Sequence, residues 1–309
     1  MTTTQPQQLY KPKGAIALNE PSAKIQLRLG IQGGFGSGKT FAATTFKNPV
    51  FLSLDRGLAS HTGRKDIIEI PFWNPAFVDS VCKRESVTYF NHKVNATKIT
   101  PPNIKDALVK WLAEEASKLS PEQTLVIDGQ SGIETAYHAG YWVNPKITKS
   151  QQGRGGGEVD GYAEWNQKVD YFDEIMLYIK SLSCDVIWIA HEMQERDSKG
   201  NLTGKVDPLL TGQYADKIGK EFTDWYRATV LSKPKTEEEK NEKIAAIGSR
   251  ELYDEYIKST PSNVQCVYLW QTQTSDIVKC KTSLVGAPKY VLAHSSTFER
   301  YKRKISTDV

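Results

Sequence analysis

Gly33 and the run Gly38-Lys39-Thr40 are separated by Gly34-Phe35-Gly36-Ser37, and this spacing constrains the chain more than any other feature. Glycines at 33, 34, 36 and 38 let a backbone turn its N–H groups inward around phosphate oxygens. A helix that starts behind them adds partial positive charge. In such a loop Lys39 reaches the β- and γ-phosphates, and the Thr40 hydroxyl sits on Mg²⁺. The motif has to follow a strand and open a helix. Ile25-Gln26-Leu27-Arg28-Leu29 before it alternates apolar and polar residues as a strand does, and Phe41-Ala42-Ala43-Thr44-Thr45-Phe46 after it suits a helix. A glycine-rich turn ending in Lys-Thr by accident is the alternative, and both flanks weigh against it.

Asn48-Pro49 then breaks the pattern, and Val50-Phe51-Leu52-Ser53-Leu54-Asp55 reads as a buried strand ending in an acid. Strand, loop, helix, strand is a βαβ unit, which predicts an α/β fold with a mostly parallel sheet. Between Arg56 and Pro102 only Asp66 to Ile70 reads as a strand. An amphipathic helix follows, with Ile104, Leu108, Trp111, Leu112 and Leu119 on one face. Thr124-Leu125-Val126-Ile127-Asp128 is a second apolar strand ending in aspartate. In phosphate-loop enzymes such a strand lies beside the loop, and its Asp holds Mg²⁺, commonly through water. A third, Asp185-Val186-Ile187-Trp188-Ile189-Ala190, ends at His191-Glu192. A zinc-protease helix would need a second His at position 195, which is Glu195, so His191 reads instead as a polar residue at a strand end, where open α/β sheets bind ligands.

Two segments are polar, glycine-rich and basic. Tyr141 to Gly161 carries Lys146, Lys149 and Arg154 and is longer than an ordinary connection. It reads as a mobile surface loop whose donors suit a phosphate backbone, with Tyr141, Trp142 and Tyr162 near enough to stack on bases. Trp165 belongs instead to a helix face with Val169, Phe172, Met176, Ile179 and Leu182. Met193 to Thr211, with Arg196, Lys199 and Lys205, reads as a second mobile basic loop. Lys233 to Lys258 is a charged helix or helix pair, expected as a solvated insertion. Val264–Gln273 and Ile277–Leu284, separated by Thr274-Ser275-Asp276, predict a hairpin, and Lys279 and Lys281 share one face of its second arm.

A chain of 309 residues has room for one large α/β domain or two small ones. Its mean hydropathy is −0.48, and no apolar run approaches the roughly 20 residues of a spanning helix. Thr2 to Gln8 lacks the apolar core of a signal peptide, so a cytoplasmic protein with no membrane partner is expected. Cys82, Cys184, Cys266 and Cys280 have no Cys-x-x-Cys spacing, which points to reduced thiols rather than a zinc site or disulfide framework. The formal charge of +4 is too small to imply a nucleic-acid partner by itself.

Over residues 24 to 290 the chain resembles the RecA-like phosphate-loop ATPases, and within them the compact phage members that act in single-strand annealing or recombination. The resemblance rests on Gly33 to Thr40, Leu125 to Asp128, and the strand ending in His191-Glu192. It implies ATP and Mg²⁺ as cofactors. It gives Asp55 the place of the general base that orients the attacking water, where RecA has Glu, and His191 the place of the γ-phosphate sensor. It gives the segments 143–161 and 193–211 the place of two DNA-binding loops, and Lys279 and Lys281 that of lysines reaching a neighbouring subunit's nucleotide. It further implies a filament or ring of identical subunits on single-stranded DNA, with a phage single-stranded-DNA-binding protein as a further partner. The expected division is a tail or oligomerisation arm at 1–23, a core at 24–232, the insertion at 233–262, a β-hairpin completing the core sheet at 263–293 and a basic tail at 294–309. A hexameric helicase-type motor and a nucleotide-dependent binding or regulatory module with little turnover are the competing readings.

Overall fold

Apolar side chains alternate between the two faces of each central strand, and this sets the layering. The computed structural model describes residues 26–55, 63–72, 88–89, 92–93, 101–142, 161–210, 214–258 and 265–305. In chain order its strands are β1 (Arg28–Gly33), β2 (Pro49–Ser53), β3 (Ile68–Pro71), β4 (Thr88–Tyr89), β5 (His92–Lys93), β6 (Thr124–Asp128), β7 (Asp185–Arg196), β8 (Leu202–Pro208), β9 (Asp224–Ser232), β10 (Cys266–Gln271) and β11 (Tyr290–Leu292). The helices are α1 (Lys39–Ala43), α2 (Pro101–Glu114), α3 (Gln130–Trp142), α4 (Gly161–Ser181), α5 (Tyr214–Ile218), α6 (Glu237–Ile247), α7 (Arg250–Lys258) and α8 (Ser296–Ile305).

Leu125 and Ile127 of β6, and Val186, Trp188 and Ala190 of β7, enter one core with residues of α2, α3 and α4. Val126, Ile187 and Ile189 enter the other, beneath α1 and α8. Strands that are apolar on both faces must be covered on both, as a parallel sheet requires. The sheet runs β11-β10-β9-β1-β7-β6-β2-β3, with β8 paired to β7. Pairings from β9 through β1, β7, β6 and β2 to β3 are parallel, while β10 and β11 add an antiparallel edge.

Several expectations need correction. β6 does reach the loop, through Asp128, but without neighbouring β1 in the sheet: β7 stands between them, and its two apolar faces suit that central position. The second strand of the C-terminal pair is Tyr290–Leu292, whose Tyr290 and Leu292 pack with α6 and α7, and not 277–284. That stretch makes a single bridge, Lys281 to Trp225, and Ile277 lends its carbonyl to the Val206 N–H. The insertion is a helix pair with Ile247, Tyr253 and Tyr256 buried on Val267 and Leu269, so one of its faces is core rather than solvated. Met193 to Leu210 is mostly a ribbon of β7 and β8, turned where the Asp197 carboxylate accepts the N–H groups of Lys199 and Asn201. Part of the expected basic tail is α8, which buries Phe298 and Tyr301.

α1 is only five residues long. Thr44 and Thr45 turn their hydroxyls back onto the carbonyls of Phe41 and Ala42, at 2.8 and 2.7 Å, and such bonds compete with helix continuation. No helix among the described residues is long and apolar enough to cross a membrane.

Candidate functional site

The loop after β1 closes on itself through Lys39. Its ammonium donates to the carbonyls of Gly33 and Gly34, each at 2.8 Å, and the side chain is buried. Burial lowers its pKa, while Asp128, Glu192 and Asp55 oppose that shift by favouring the charged form. Gly38 sits at φ 81°, and a Cβ there would lie 2.3 Å from the Tyr268 ring. Only glycine meets both the left-handed backbone and the close approach of β10.

Thr40 donates its hydroxyl proton to Asp128 Oδ2 at 3.1 Å, joining the helix start to the end of β6 even though β6 and β1 are not neighbours. Desolvation pushes the Asp128 carboxyl up to about 6, against the hydrogen bond from Thr40. His191 Nε2 stands 3.2 Å from Asp55 Oδ2, and Ser131 donates to Asp55 Oδ1 at 3.3 Å. The register explains the meeting: Gly33 pairs with His191, and Ser53 pairs with Asp128, which in turn pairs with Ile189, so four strands bring these residues to one end of the sheet. A cavity of 350 Å³ results, lined by the loop from Phe35 to Thr40 together with Phe41, Asp55, Asp128, His191 and Tyr268.

Sequence reasoning missed three contributors: Ser131, the Glu192–Arg227 pair and the Phe41–Tyr268 pair. Ser131 holds Asp55. Glu192 and Arg227 form a two-pronged ion pair, at 2.9 and 3.0 Å, next to Gly34. Phe41 and Tyr268 meet on the cavity's rim with ring centroids 5.7 Å apart and planes tilted by 44°; Phe35, expected in the loop, is 99% exposed at its tip. The ion pair and the Phe41–Tyr268 pair join residues distant in sequence, which no local pattern reveals.

Other expected site residues lie elsewhere. Lys279 and Lys281 line a separate cavity, and the Lys281 ammonium donates to the Phe222 carbonyl at 2.6 Å. Arg196, Lys199 and Lys205 are exposed on the β7–β8 ribbon, where Arg196 donates to the Gly200 carbonyl at 2.8 Å. Lys146, Lys149 and Arg154 lie outside the described residues, as does the side chain of Trp165.

A mostly parallel α/β sheet with this loop at the end of an inner strand, and an acid ending an apolar strand two places away that meets the loop, defines the phosphate-loop class. The family model described as AAA domain matches residues 25–253, and the chain belongs to that family. No curated protein matches it. Among solved structures it is similar to one titled "Crystal structure of the RadB recombinase", at 16% identity over 67% of this chain and 76% of that one, with a TM-score of 0.29.

Proposed function

We propose that the protein is a Mg²⁺-dependent ATPase that works on single-stranded DNA in recombination or annealing, as an assembly of identical subunits. The observation that carries the catalytic part is the convergence of Lys39, the Thr40–Asp128 pair and the Asp55–His191 pair on one cavity. The Lys39 ammonium is fixed at the loop by the Gly33 and Gly34 carbonyls, and its longer contact, 3.5 Å to Ser37 Oγ, is the one that a bound phosphate would replace. The Thr40 hydroxyl and the Asp128 carboxylate are the hard oxygen donors that Mg²⁺ takes, so the residues fit that ion. Bound there, Mg²⁺ would neutralise charge on the β- and γ-phosphate oxygens. Asp55, oriented by His191 and Ser131, holds a water in line for attack, and His191 carries the state of the γ-phosphate to the β7–β8 ribbon that continues from it. Phe41 and Tyr268 supply apolar area for the base.

The DNA part rests on Arg196, Lys199 and Lys205, exposed on the ribbon that leaves the site alongside the acidic Glu195, Asp197 and Asp207, and on the resemblance to recombination ATPases. Hydrolysis of ATP measured with and without single-stranded DNA tests both parts. DNA-stimulated turnover that needs Mg²⁺ is expected. Nucleotide binding with no turnover under either condition would make the protein a nucleotide-dependent binding module, and unwinding of duplex without annealing would make it a helicase-type motor.

A further inference from the structure

The two residues that hold the Asp55 carboxylate also lead to both backbone groups of Leu209, at the foot of the β7–β8 ribbon. His191 meets Asp55 Oδ2 with its ring, and its backbone carbonyl accepts the Leu209 N–H at 2.6 Å. Ser131 donates to Asp55 Oδ1, and its neighbour Gln130 donates from its side-chain amide to the Leu209 carbonyl at 3.1 Å. Asp55, His191, Leu209, Gln130 and Ser131 thus close a ring. Gln130 is fully buried, and its side-chain oxygen accepts the Trp188 Nε1–H at 2.7 Å. An indole N–H can only donate, so the amide oxygen faces Trp188 and the NH₂ faces Leu209. Leu209 directly follows β8, where the chain re-enters the core with Leu210 buried. Gln130 opens α3, and that helix start cannot shift independently of Asp55: a Cβ on Gly129 would lie only 2.4 Å from Asp55 Cγ.

We infer that Gln130 is a positioning residue that couples Asp55 in the nucleotide cavity to the foot of the ribbon, through Ser131 on one side and Leu209 on the other. The inference rests on the nucleotide-binding part of the function proposed above. The His191 carbonyl alone would leave Leu209 free to pivot about its N–H; the Gln130 amide, gripping the carbonyl, fixes its orientation as well. The two contacts to Asp55 are the long ones, at 3.2 and 3.3 Å, and Asp55 and His191 line the cavity, so a water or phosphate oxygen there competes for them. The Gln130 amide sits between a buried donor and a carbonyl, and releasing either leaves a polar group unsatisfied. A change at Asp55 is therefore passed on to Leu209 and not absorbed at Gln130.

The test is hydrogen–deuterium exchange of the full chain, alone and saturated with Mg²⁺ and the non-hydrolysable analogue AMP-PNP, together with steady-state ATP hydrolysis. In the wild type, AMP-PNP is expected to slow exchange over residues 193–210 by about threefold or more. Gln130→Glu keeps an oxygen for the Trp188 N–H but turns a negative oxygen toward the Leu209 carbonyl. It should abolish the slowing and lower kcat about tenfold or more, with KM and AMP-PNP affinity unchanged, because a misplaced Asp55 costs chemistry rather than binding. Gln130→Met keeps the length of the side chain without its hydrogen bonds, should behave the same way, and serves if Gln130→Glu folds poorly. Trp188→Phe removes the amide's other bond and leaves the link to Leu209, so it should lower the melting temperature yet keep both the slowing and kcat. A ribbon that still responds in the Gln130 variants, or a response lost equally in Trp188→Phe, overturns the inference. AMP-PNP binding with an unresponsive wild-type ribbon overturns it alone; absent AMP-PNP binding by the wild type sinks the nucleotide reading and this inference with it.

Discussion

At the scale of single residues, Lys39 links the loop's architecture to its proposed chemistry, because the ammonium that would meet phosphate also ties down the Gly33 and Gly34 carbonyls. Lys39→Ala should lower kcat for ATP hydrolysis by about 10² or more, as loss of one preorganised donor does, and should weaken ATP binding as well. Steady-state hydrolysis and equilibrium nucleotide binding check this, and wild-type turnover in the variant would sink the phosphate-loop assignment. Asp128→Asn keeps an acceptor for the Thr40 hydroxyl but removes the charge, so a Mg²⁺ titration of activity should shift to higher concentration while the melting temperature holds. Gly30 makes a different demand: a Cβ there would lie 1.9 Å from the Trp225 ring. Gly30→Ala forces that buried indole, whose N–H is held by Gln32, out of its place. Overpacking of this kind costs about 1–3 kcal/mol, and thermal unfolding should show the loss.

At the scale of elements, the parts with an intrinsic period were legible and the parts set by partners were not. The apolar strands ending in Asp55, Asp128 and His191 could be read directly, since each carries enough apolar residues for both faces of a covered sheet. Their order could not, because alternation says that a strand is buried but not which strand lies next to it. The stretch 277–284 alternates like a strand, yet β10 already has β9 and β11 as neighbours, so this stretch settles over the end of β9. The basic segment after His191 reads like a loop because its apolar residues are few, but Val206 and Pro208 anchor β8 against β7. That ribbon carries its own prediction. Arg196→Ala, Lys199→Ala and Lys205→Ala together should weaken single-stranded DNA binding without loss of melting temperature, since all three side chains are exposed. The logarithmic salt slope should fall by about 0.7 for each phosphate that the variant no longer neutralises. Unchanged affinity and slope would leave the ribbon as a solvated extension of the sheet.

At the scale of the whole molecule, the question is whether one subunit completes another's site. The resemblance gives Lys279 and Lys281 to a neighbour's nucleotide, while the fold sets them around a cavity of their own chain, next to Lys220, with Lys281 bonded to Phe222. The two arrangements make opposite predictions for mixed subunits. Lys39→Ala protein lacks the loop's charge but has intact lysines, and the Lys279→Ala, Lys281→Ala double variant has the reverse. If the lysines act across a boundary, mixing creates interfaces that pair an intact loop with intact lysines, and hydrolysis should recover well above that of either variant alone, because charge supplied from a neighbour accelerates phosphoryl transfer by about 10³ or more. If they serve their own subunit, every subunit in the mixture lacks one of its two requirements. The local geometry favours this second outcome: the Lys281 side chain is already engaged within its subunit, and its backbone pairs with Trp225 on β9. DNA-stimulated hydrolysis in the mixture is therefore expected to equal the average of the two variants measured apart. Co-assembly has to be shown by sedimentation with AMP-PNP and single-stranded DNA. Recovery in a mixture that demonstrably co-assembles would move the lysines to the neighbour's nucleotide and make hydrolysis a property of the assembly.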